Sequence, residues 1–205
     1  EKLLLNILPE AVVEQLKQFQ GSLAERFDDA TVLFADIVNF TPLAAQYSPL
    51  ELVNLLNQIF SAFDRLAERY HLEKIKTIGD AYMVVGGVPV SRPGHAAAVA
   101  DMALAMHQVI SEFSRDDRMP LQLRIGINTG SVVAGVIGIK KFSYDLWGDT
   151  VNVASRMESQ GQPEKIQVTE TTYARLADRF EFQPGPEIAI KGKGPMKTYY
   201  LIGRL

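Results

Sequence analysis

The chain has 205 residues, 47% of them hydrophobic and 22% charged, a balance that excludes a disordered or fibrous protein. A formal net charge of -3 provides no basic surface for a polyanion, so we expect no nucleic-acid partner. Without cysteine there is no disulfide framework, no thiolate metal site and no cysteine nucleophile. No apolar run reaches the roughly 18 residues of a membrane helix, so we expect one domain without a membrane segment.

The leucine-rich start of the chain predicts two short amphipathic helices. Apolar residues recur at helical spacing from Lys2 to Phe19, and Pro9 interrupts them. These helices either pack on their own domain or form a stalk that pairs with a second chain. Because the sequence begins at Glu1 and leads directly into this pattern, we expect a fragment of a longer protein. We predict an N-terminal helical connector at residues 1–28 and a single domain at residues 29–205.

The rest of the chain alternates predicted strands and helices, with hairpins among them. The first strand is apolar throughout, which indicates burial on both faces. Ser48 and Glu51 have the spacing of a capping box at the start of the next helix. The predicted elements are strands at 31–35, 72–78, 81–85, 121–127, 132–137, 142–147, 166–168 and 196–202, and helices at 49–66, 95–113, from 148, and 172–177. A turn is expected at Gly130, and strand 121–127 is expected to bury one face. This mixture favours an α+β fold over a purely parallel sheet.

Two carboxylates lie at the ends of predicted strands. Asp36 ends a buried apolar strand, where a charge requires a cation from the protein or a metal ion. Thr41-Pro42 then favours a helix start, so the backbone amides from Val38 to Thr41 can hold phosphate oxygens. Asp80 lies in the hairpin turn with Gly79, a position where Asp is also common for structural reasons. Two Mg²⁺ ions need such carboxylates beside substrate phosphates, but spacing alone does not bring the two acids together.

A second polar cluster lies on the helix that begins near Gly148. Asn152 and Arg156 are four residues apart and share a face, which can bind a ribose and a phosphate or simply face solvent. The segment Lys191 to Gly194 is either a flexible, positively charged loop that binds phosphates or an ordinary charged turn. The chain lacks a P-loop and a dinucleotide-binding fingerprint. The three histidines have no ligand spacing and are interpreted as structural: His71, His95 and His107.

Four stretches, in this order, resemble the class III nucleotide cyclase catalytic domain. They are residues 34–41 (FADIVNFT), 74–83 (KIKTIGDAYM), 144–157 (YDLWGDTVNVASRM) and 191–194 (KGKG). The resemblance runs from about Asp29 to the end of the chain. It implies a ferredoxin-like βαββαβ-type mixed sheet with flanking helices, within the α+β class.

The resemblance also assigns roles to residues. It implies two Mg²⁺ or Mn²⁺ ions held at Asp36, Ile37 and Asp80. It implies that Asn152 orients the ribose and that Arg156 meets the charge growing on the α-phosphate. The residues implied in substrate binding are Phe40, Thr41, Lys76, Asp145, Leu146 and Lys191, the last of them neutralising the β- and γ-phosphates. Lys76 can donate to adenine N1 and Asp145 can accept from the adenine amine, whereas guanylyl cyclases typically carry Glu and a small neutral residue there.

The resemblance therefore implies an adenylate cyclase that converts ATP to 3′,5′-cyclic AMP and pyrophosphate. In this family one subunit supplies the metal carboxylates and the other supplies the base reader, Asn and Arg, so a homodimer with two composite sites is expected. An upstream sensor domain is expected in the full-length protein. The catalytic fragment is expected in the cytoplasm, with membrane attachment of the full-length protein left open. Two alternatives stay open: a guanylate cyclase acting on GTP, and a catalytically silent nucleotide-sensing dimerisation module.

Overall fold

The computed structural model describes residues 2–18, 23–113, 120–138 and 140–205. The predicted end of the N-terminal helical pattern at Phe19 lies outside these residues. The described helices are α1 Lys2–Leu5, α2 Glu10–Gln18, α3 Phe40–Ala44, α4 Pro49–Arg69, α5 His95–Ile110, α6 Asp149–Ser159 and α7 Glu170–Leu176. The described strands are β1 Ala24–Ile37, β2 Glu73–Ile78, β3 Ala81–Gly86, β4 Leu123–Ile137, β5 Ser143–Trp147, β6 Ile166–Thr169, β7 Phe180–Pro184, β8 Ile188–Ile190, β9 Gly194–Met196 and β10 Thr198–Arg204.

One mixed sheet organises the described part of the chain. Its order is β2-β3-β1-β4-β6-β10-β7, and β5 pairs with β4 outside this path. The β4–β6 pairing is parallel, and the other pairings in the sheet are antiparallel. Strands β8 and β9 form a separate hairpin. The predicted α+β class with a mixed sheet and flanking helices is confirmed.

Hydrophobic layers cover both faces of the sheet. Leu33 and Ala35 of β1 join the layer formed by α4, α5 and α7, whereas Val32 and Phe34 join the layer beneath α2 and α6. Successive side chains of a strand point to opposite faces, so an uninterrupted apolar run suits a strand covered on both sides. The predicted burial of strand 31–35 on both faces is confirmed, which leaves Asp36 directly after a fully buried segment of β1.

The start of α4 shows the predicted capping box. The Ser48 hydroxyl accepts from the Glu51 backbone nitrogen, and the Glu51 carboxylate accepts from the Ser48 nitrogen. These two bonds satisfy helix amides that would otherwise lack a partner. Further along the chain, Gly79-Asp80 forms the predicted two-residue turn between β2 and β3.

Helix α2 packs on its own domain. Leu8, Val12 and Val13 are buried in the layer that also holds Phe27. This packing agrees with the first of the two alternatives for the N-terminal helices. Helix α1 keeps its leucines exposed, with Leu3 at 78%. The boundary at residue 28 stays a prediction.

Three expectations for the elements were wrong. Strand β4 runs through Gly130 without a turn. The glycine instead allows the close approach of α6, since a Cβ at this position would lie 2.5 Å from Thr150 Oγ1. Residues 125–129 are buried on both faces, since α6 covers the second face. Helix α5 ends at Ile110 rather than 113. Strand β7 and the β8–β9 hairpin were not predicted, and β9 and β10 replace one predicted strand.

Gly126 provides a stability prediction. A Cβ at this position would overlap the backbone nitrogen of Glu158, which cannot move without shifting α6. We expect Gly126→Ala to lower the free energy of unfolding by about 3 kcal/mol, as overpacking against backbone does. The matched control is Gly203→Ala in β10, where an added Cβ meets nothing within 4 Å. Urea unfolding checks both, and an equal effect of the two substitutions would contradict the close packing of α6 on β4.

Candidate active site

Strand register places the two predicted metal carboxylates beside each other. Asp36 of β1 lies opposite Ala81 of β3, the residue that directly follows Asp80 in the turn. Burial, followed by the nearby Asp36 carboxylate, raises the pKa of Asp80 to about 7. The structure therefore brings together two acids that the sequence could only place on separate strands.

Two further charged residues complete this carboxylate cluster, and the sequence analysis missed both. Arg124 of β4 lies opposite Asp36 in the β1–β4 register, and its Nη2 donates to Asp36 Oδ2 at 3.1 Å. Its Nε donates to Glu158 Oε1 of α6, also at 3.1 Å. Burial, followed by the charge of Asp36, raises the pKa of Glu158 to about 7. Arg124 is therefore the protein cation that the buried end of β1 requires.

The cluster fits a hard divalent cation. Asp36 Oδ1 is buried and has no hydrogen-bond partner among the described residues, so it is an oxygen free to ligate. Ile37 buries its side chain, which leaves its backbone carbonyl as the group it can offer. Within the described ranges no group of three or more His, Asp or Glu side chains is placed around a metal position. Substrate phosphates and water would therefore complete the coordination, as Mg²⁺ usually requires.

The predicted base-reading residues meet in the folded chain. Lys76 of β2 and Asp145 of β5 form an ion pair with 2.7 Å between Nζ and Oδ2. The Leu146 nitrogen donates to the other Asp145 oxygen at 2.8 Å. This bond fixes the carboxylate, so one donor and one acceptor are held side by side.

The third group of predicted residues lines a cleft beside α6. Asn152, Arg156 and Lys191 share this cleft, whose volume is about 510 Å³. The loop that carries Lys191 is attached to the start of α6 by an ion pair of 2.6 Å between Lys193 and Asp149. The cleft thus holds an amide, a guanidinium and an ammonium on one face, which suits a ribose and a polyphosphate.

The predicted phosphate-holding amides are only partly available. The Val38 nitrogen donates to the Gln122 carbonyl at 2.9 Å, so the expectation for this amide was wrong. Backbone pairing at the sheet end uses it before α3 begins. Phe40 and Thr41 form the first turn of α3, directly after Asn39 with φ at 55°. They stay candidate substrate contacts next to the carboxylate cluster.

The chain matches the family model described as the adenylate and guanylate cyclase catalytic domain over residues 23–203. It belongs to this cyclase family. It is a nucleotide cyclase domain, and the resemblance stated from its motifs is confirmed.

Relatives of both base specificities share this cyclase domain. An adenylate cyclase from Mycobacterium tuberculosis is 50% identical over 205 residues, covering 100% of this chain and 46% of its own length. The guanylate cyclase soluble subunit beta-2 of Rattus norvegicus is 47% identical and covers 100% of this chain and 30% of its own length. The chain thus spans about half or less of these curated relatives.

Solved structures show the same fold. The catalytic core of a rhodopsin-guanylyl cyclase with converted specificity, in complex with ATPalphaS, has a TM-score of 0.84 and 39% identity, covering 88% of this chain and 98% of its own. The adenylyl cyclase CyaB from P. aeruginosa has a TM-score of 0.81 and 29% identity, covering 88% and 96%. In the described part of this cyclase domain, the helices are too short or too polar to span a membrane.

Proposed function

We propose that this cyclase domain converts ATP to 3′,5′-cyclic AMP and pyrophosphate. The observation that carries the base choice is the Lys76–Asp145 pair. Adenine offers an acceptor at N1 and a donor at its amine, whereas guanine offers a donor at N1 and an acceptor at O6. With Lys76 at N1 and Asp145 at the substituent on C6, the lysine donates and the carboxylate accepts, so the pair in this arrangement complements adenine and opposes guanine at both positions.

The side chains of the α6 cleft then have distinct tasks in the proposed reaction. Lys191 neutralises the outer phosphates, and Asn152 orients the ribose so that its 3′-hydroxyl faces the α-phosphate. Arg156 donates to the α-phosphate oxygens, on which negative charge grows as the 3′-oxygen attacks and pyrophosphate leaves. Positioning and charge stabilisation are the contributions asked of these residues.

Asp36, the Ile37 carbonyl and Asp80 are the proposed holders of two Mg²⁺ or Mn²⁺ ions. When bound, such ions supply a lowered pKa for the attacking hydroxyl and charge neutralisation on the triphosphate. Arg124 already neutralises one Asp36 oxygen through its fork and leaves the other oxygen unpartnered. Asp36 Oδ1 can therefore ligate a cation while Oδ2 stays bonded to Arg124.

We propose a homodimer with two composite sites. On one chain, Asp36 and Asp80 lie outside the cleft that contains Asn152, Arg156 and Lys191. A second copy would bring its carboxylate cluster to this cleft, and the symmetry of such a pair gives two equivalent sites. We also propose that an upstream sensor controls the domain in a longer protein, and that the domain works in the cytoplasm.

Guanylate cyclase activity is the second candidate. The relative named guanylate cyclase soluble subunit beta-2 aligns with the whole chain at 47% identity. A guanylate cyclase domain solved in complex with GTP has a TM-score of 0.84 and 37% identity. The overall fold is thus shared with a relative solved with GTP, and the Lys76–Asp145 pair is the feature that favours ATP.

One assay tests base choice and dimerisation together. Equal ATP and GTP are supplied with Mn²⁺ across a range of protein concentrations, and cyclic AMP and cyclic GMP are measured. We expect cyclic AMP to dominate and activity per chain to rise with protein concentration until the dimer is saturated. If cyclic GMP dominates, the second candidate is supported. If the activity per chain stays constant at dilutions that dissociate the dimer, the composite site is contradicted.

The base-reading pair provides a specificity prediction. Lys76→Glu combined with Asp145→Cys should shift the ATP-to-GTP preference by about tenfold or more toward GTP, because the new carboxylate accepts from guanine N1. The two single variants are the matched controls. Each leaves one partner of the ion pair unpaired, so each should lose ATP activity without gaining GTP activity. An unchanged ratio of kcat/KM values in the double variant would refute the assigned base contact.

A further inference from the structure

Helix α6 lies on the sheet without side-chain spacers at both of its ends. A Cβ on Gly126 would overlap the Glu158 nitrogen, and a Cβ on Gly130 would lie 2.5 Å from Thr150 Oγ1. Both glycines belong to β4, and the two contacts lie near the last and first turns of α6. These contacts set the distance between the helix and the sheet. The rotation of the helix and its position along its own axis then depend on its buried side chains, such as Val153 and Met157, and on directional bonds to the sheet.

Two buried side-chain amides supply such directional bonds, in addition to the ion pair between Arg124 of β4 and Glu158 of α6. Asn128 of β4 donates through Nδ2 to the Thr150 carbonyl at 3.1 Å, in the first turn of α6. Gln167 of β6 donates through Nε2 to the Met157 carbonyl at 3.3 Å, in the last turn. Asn128 is 7% exposed and Gln167 is fully buried. Each end of the helix is therefore tied to a different strand by a directional bond.

The orientation of the Asn128 amide is set from the side of the sheet. The Thr169 hydroxyl donates to Asn128 Oδ1 at 2.7 Å, which directs the amide nitrogen toward α6. Thr169 also caps α7 by accepting from the Thr172 nitrogen. From Thr169 a row of hydrogen-bonded side chains continues toward the surface through Thr172, Thr129, Thr31, His95 and Asp29. The Asn128 amide has both ends satisfied, so any rotation of it would leave polar atoms unpaired. Gln167 Oε1 has no partner among the described residues, so the Nε2 side of that amide provides its tie to α6.

We propose that Asn128 and Gln167 are positioning residues that set the rotation and axial position of α6. Asn152 and Arg156 project from this helix into the cleft with Lys191, so a small rotation of α6 would redirect both. Neither amide lines that cleft. The inference rests on the proposed function, in which Asn152 and Arg156 act on the nucleotide. A displacement of about 1 Å at a catalytic group can lower the rate by about 10²-fold.

Two variants loosen α6 without removing a residue of the cleft. Asn128→Asp keeps the size of the side chain and the bond from Thr169, but places an acceptor against the Thr150 carbonyl. Gln167→Met keeps the length of the side chain and removes the donor. We expect each variant to lower kcat about 10- to 100-fold, while the KM for ATP changes by less than about threefold.

Thr31→Val is the matched control for a merely structural effect. Thr31 is fully buried in the same row of side chains and bonds to His95 and Thr129, and in the described part of the chain it makes no hydrogen bond to α6. Its replacement should lower the Tm and leave kcat within about twofold. An equal loss of kcat in Thr31→Val and Asn128→Asp would overturn the inference, since it would show a general packing defect.

Mixing of impaired chains tests the inference directly. In a heterodimer of Asn128→Asp with Asp36→Ala, one site combines intact carboxylates from the first chain with an intact α6 from the second. We expect this mixture to recover activity, and a mixture of Asn128→Asp with Arg156→Ala to gain none. Recovery in neither mixture, or only with Arg156→Ala, overturns the inference. Gln167→Met enters the same assay at the other end of the helix, so the test does not depend on the folding of one variant.

The mixture of Asp36→Ala with Arg156→Ala separates this inference from the proposed function. Suppose that this pair recovers activity, but Asn128→Asp is not rescued by Asp36→Ala or is rescued by Arg156→Ala. The inference is then wrong, and the shared site is still supported. If that pair recovers none although heterodimers form, the shared site is wrong. The comparison of kcat between Asn128→Asp and Thr31→Val then judges the inference by itself.

Discussion

Arg156→Ala is expected to lower kcat about 10²- to 10³-fold while the KM for ATP changes little. The guanidinium shares its cleft with Asn152 and Lys191 and is assigned to the charge that grows on the α-phosphate. An interaction that strengthens as the reaction proceeds lowers the barrier without tightening substrate binding. Steady-state kinetics of cyclic AMP formation with saturating Mn²⁺ measures both constants.

Two matched variants sharpen this prediction. Arg156→Lys keeps the positive charge but loses the planar fork, so its kcat should fall between those of the wild type and Arg156→Ala. Arg69→Ala removes an exposed arginine at the end of α4 and should leave both constants unchanged. Turnover near the wild-type value in Arg156→Ala would disprove its role in the reaction.

Asp36→Ala is expected to lower cyclase activity by more than about 10³-fold, because the proposed metal site loses a carboxylate at the buried end of β1. Arg124 would retain its bond to Glu158, so the surrounding cluster keeps one ion pair. We therefore expect the variant to fold and to dimerise. Activity at Mn²⁺ concentrations up to saturation, with the Tm measured in parallel, checks the expectation.

The isosteric Asp36→Asn and the exposed Asp178→Ala are the controls for this loss. Asp36→Asn keeps the volume of the side chain and should be nearly as inactive as Asp36→Ala, since a neutral amide binds a divalent cation weakly. Asp178 is an exposed carboxylate in the turn that follows α7, and its removal should have no effect. Substantial activity in Asp36→Asn would argue against metal ligation by this residue.

The position of Asp36 was predictable because burial is a local property. The uninterrupted apolar run before it required a strand covered on both faces, and a carboxylate at its end required a cation. Asp80 was different, because an acid in a hairpin turn is common and only the β1–β3 register brings it to Asp36. Long-range register depends on the whole sheet. Both carboxylates could therefore be identified in the sequence, but their proximity could not be predicted from it.

Arg124 and Glu158 show what the sequence pattern conceals. In an alternating strand Arg124 has the appearance of a solvent-facing residue, and Glu158 has that of an ordinary polar position on α6. The β1–β4 register and the close approach of α6 at Gly126 turn both toward Asp36. The same close approach explains why Gly130, expected at a turn, lies within a continuous strand.

We propose that two copies of this chain build each active site together, and mixing Asp36→Ala with Arg156→Ala chains tests this most directly. Each variant alone should be nearly inactive. Random pairing makes half of the dimers mixed, and each mixed dimer has one complete site of two, so the mixture should recover about a quarter of the wild-type activity. Activity that stays at the level of the single variants, with mixed dimers demonstrated by co-purification through two different tags, would contradict the account.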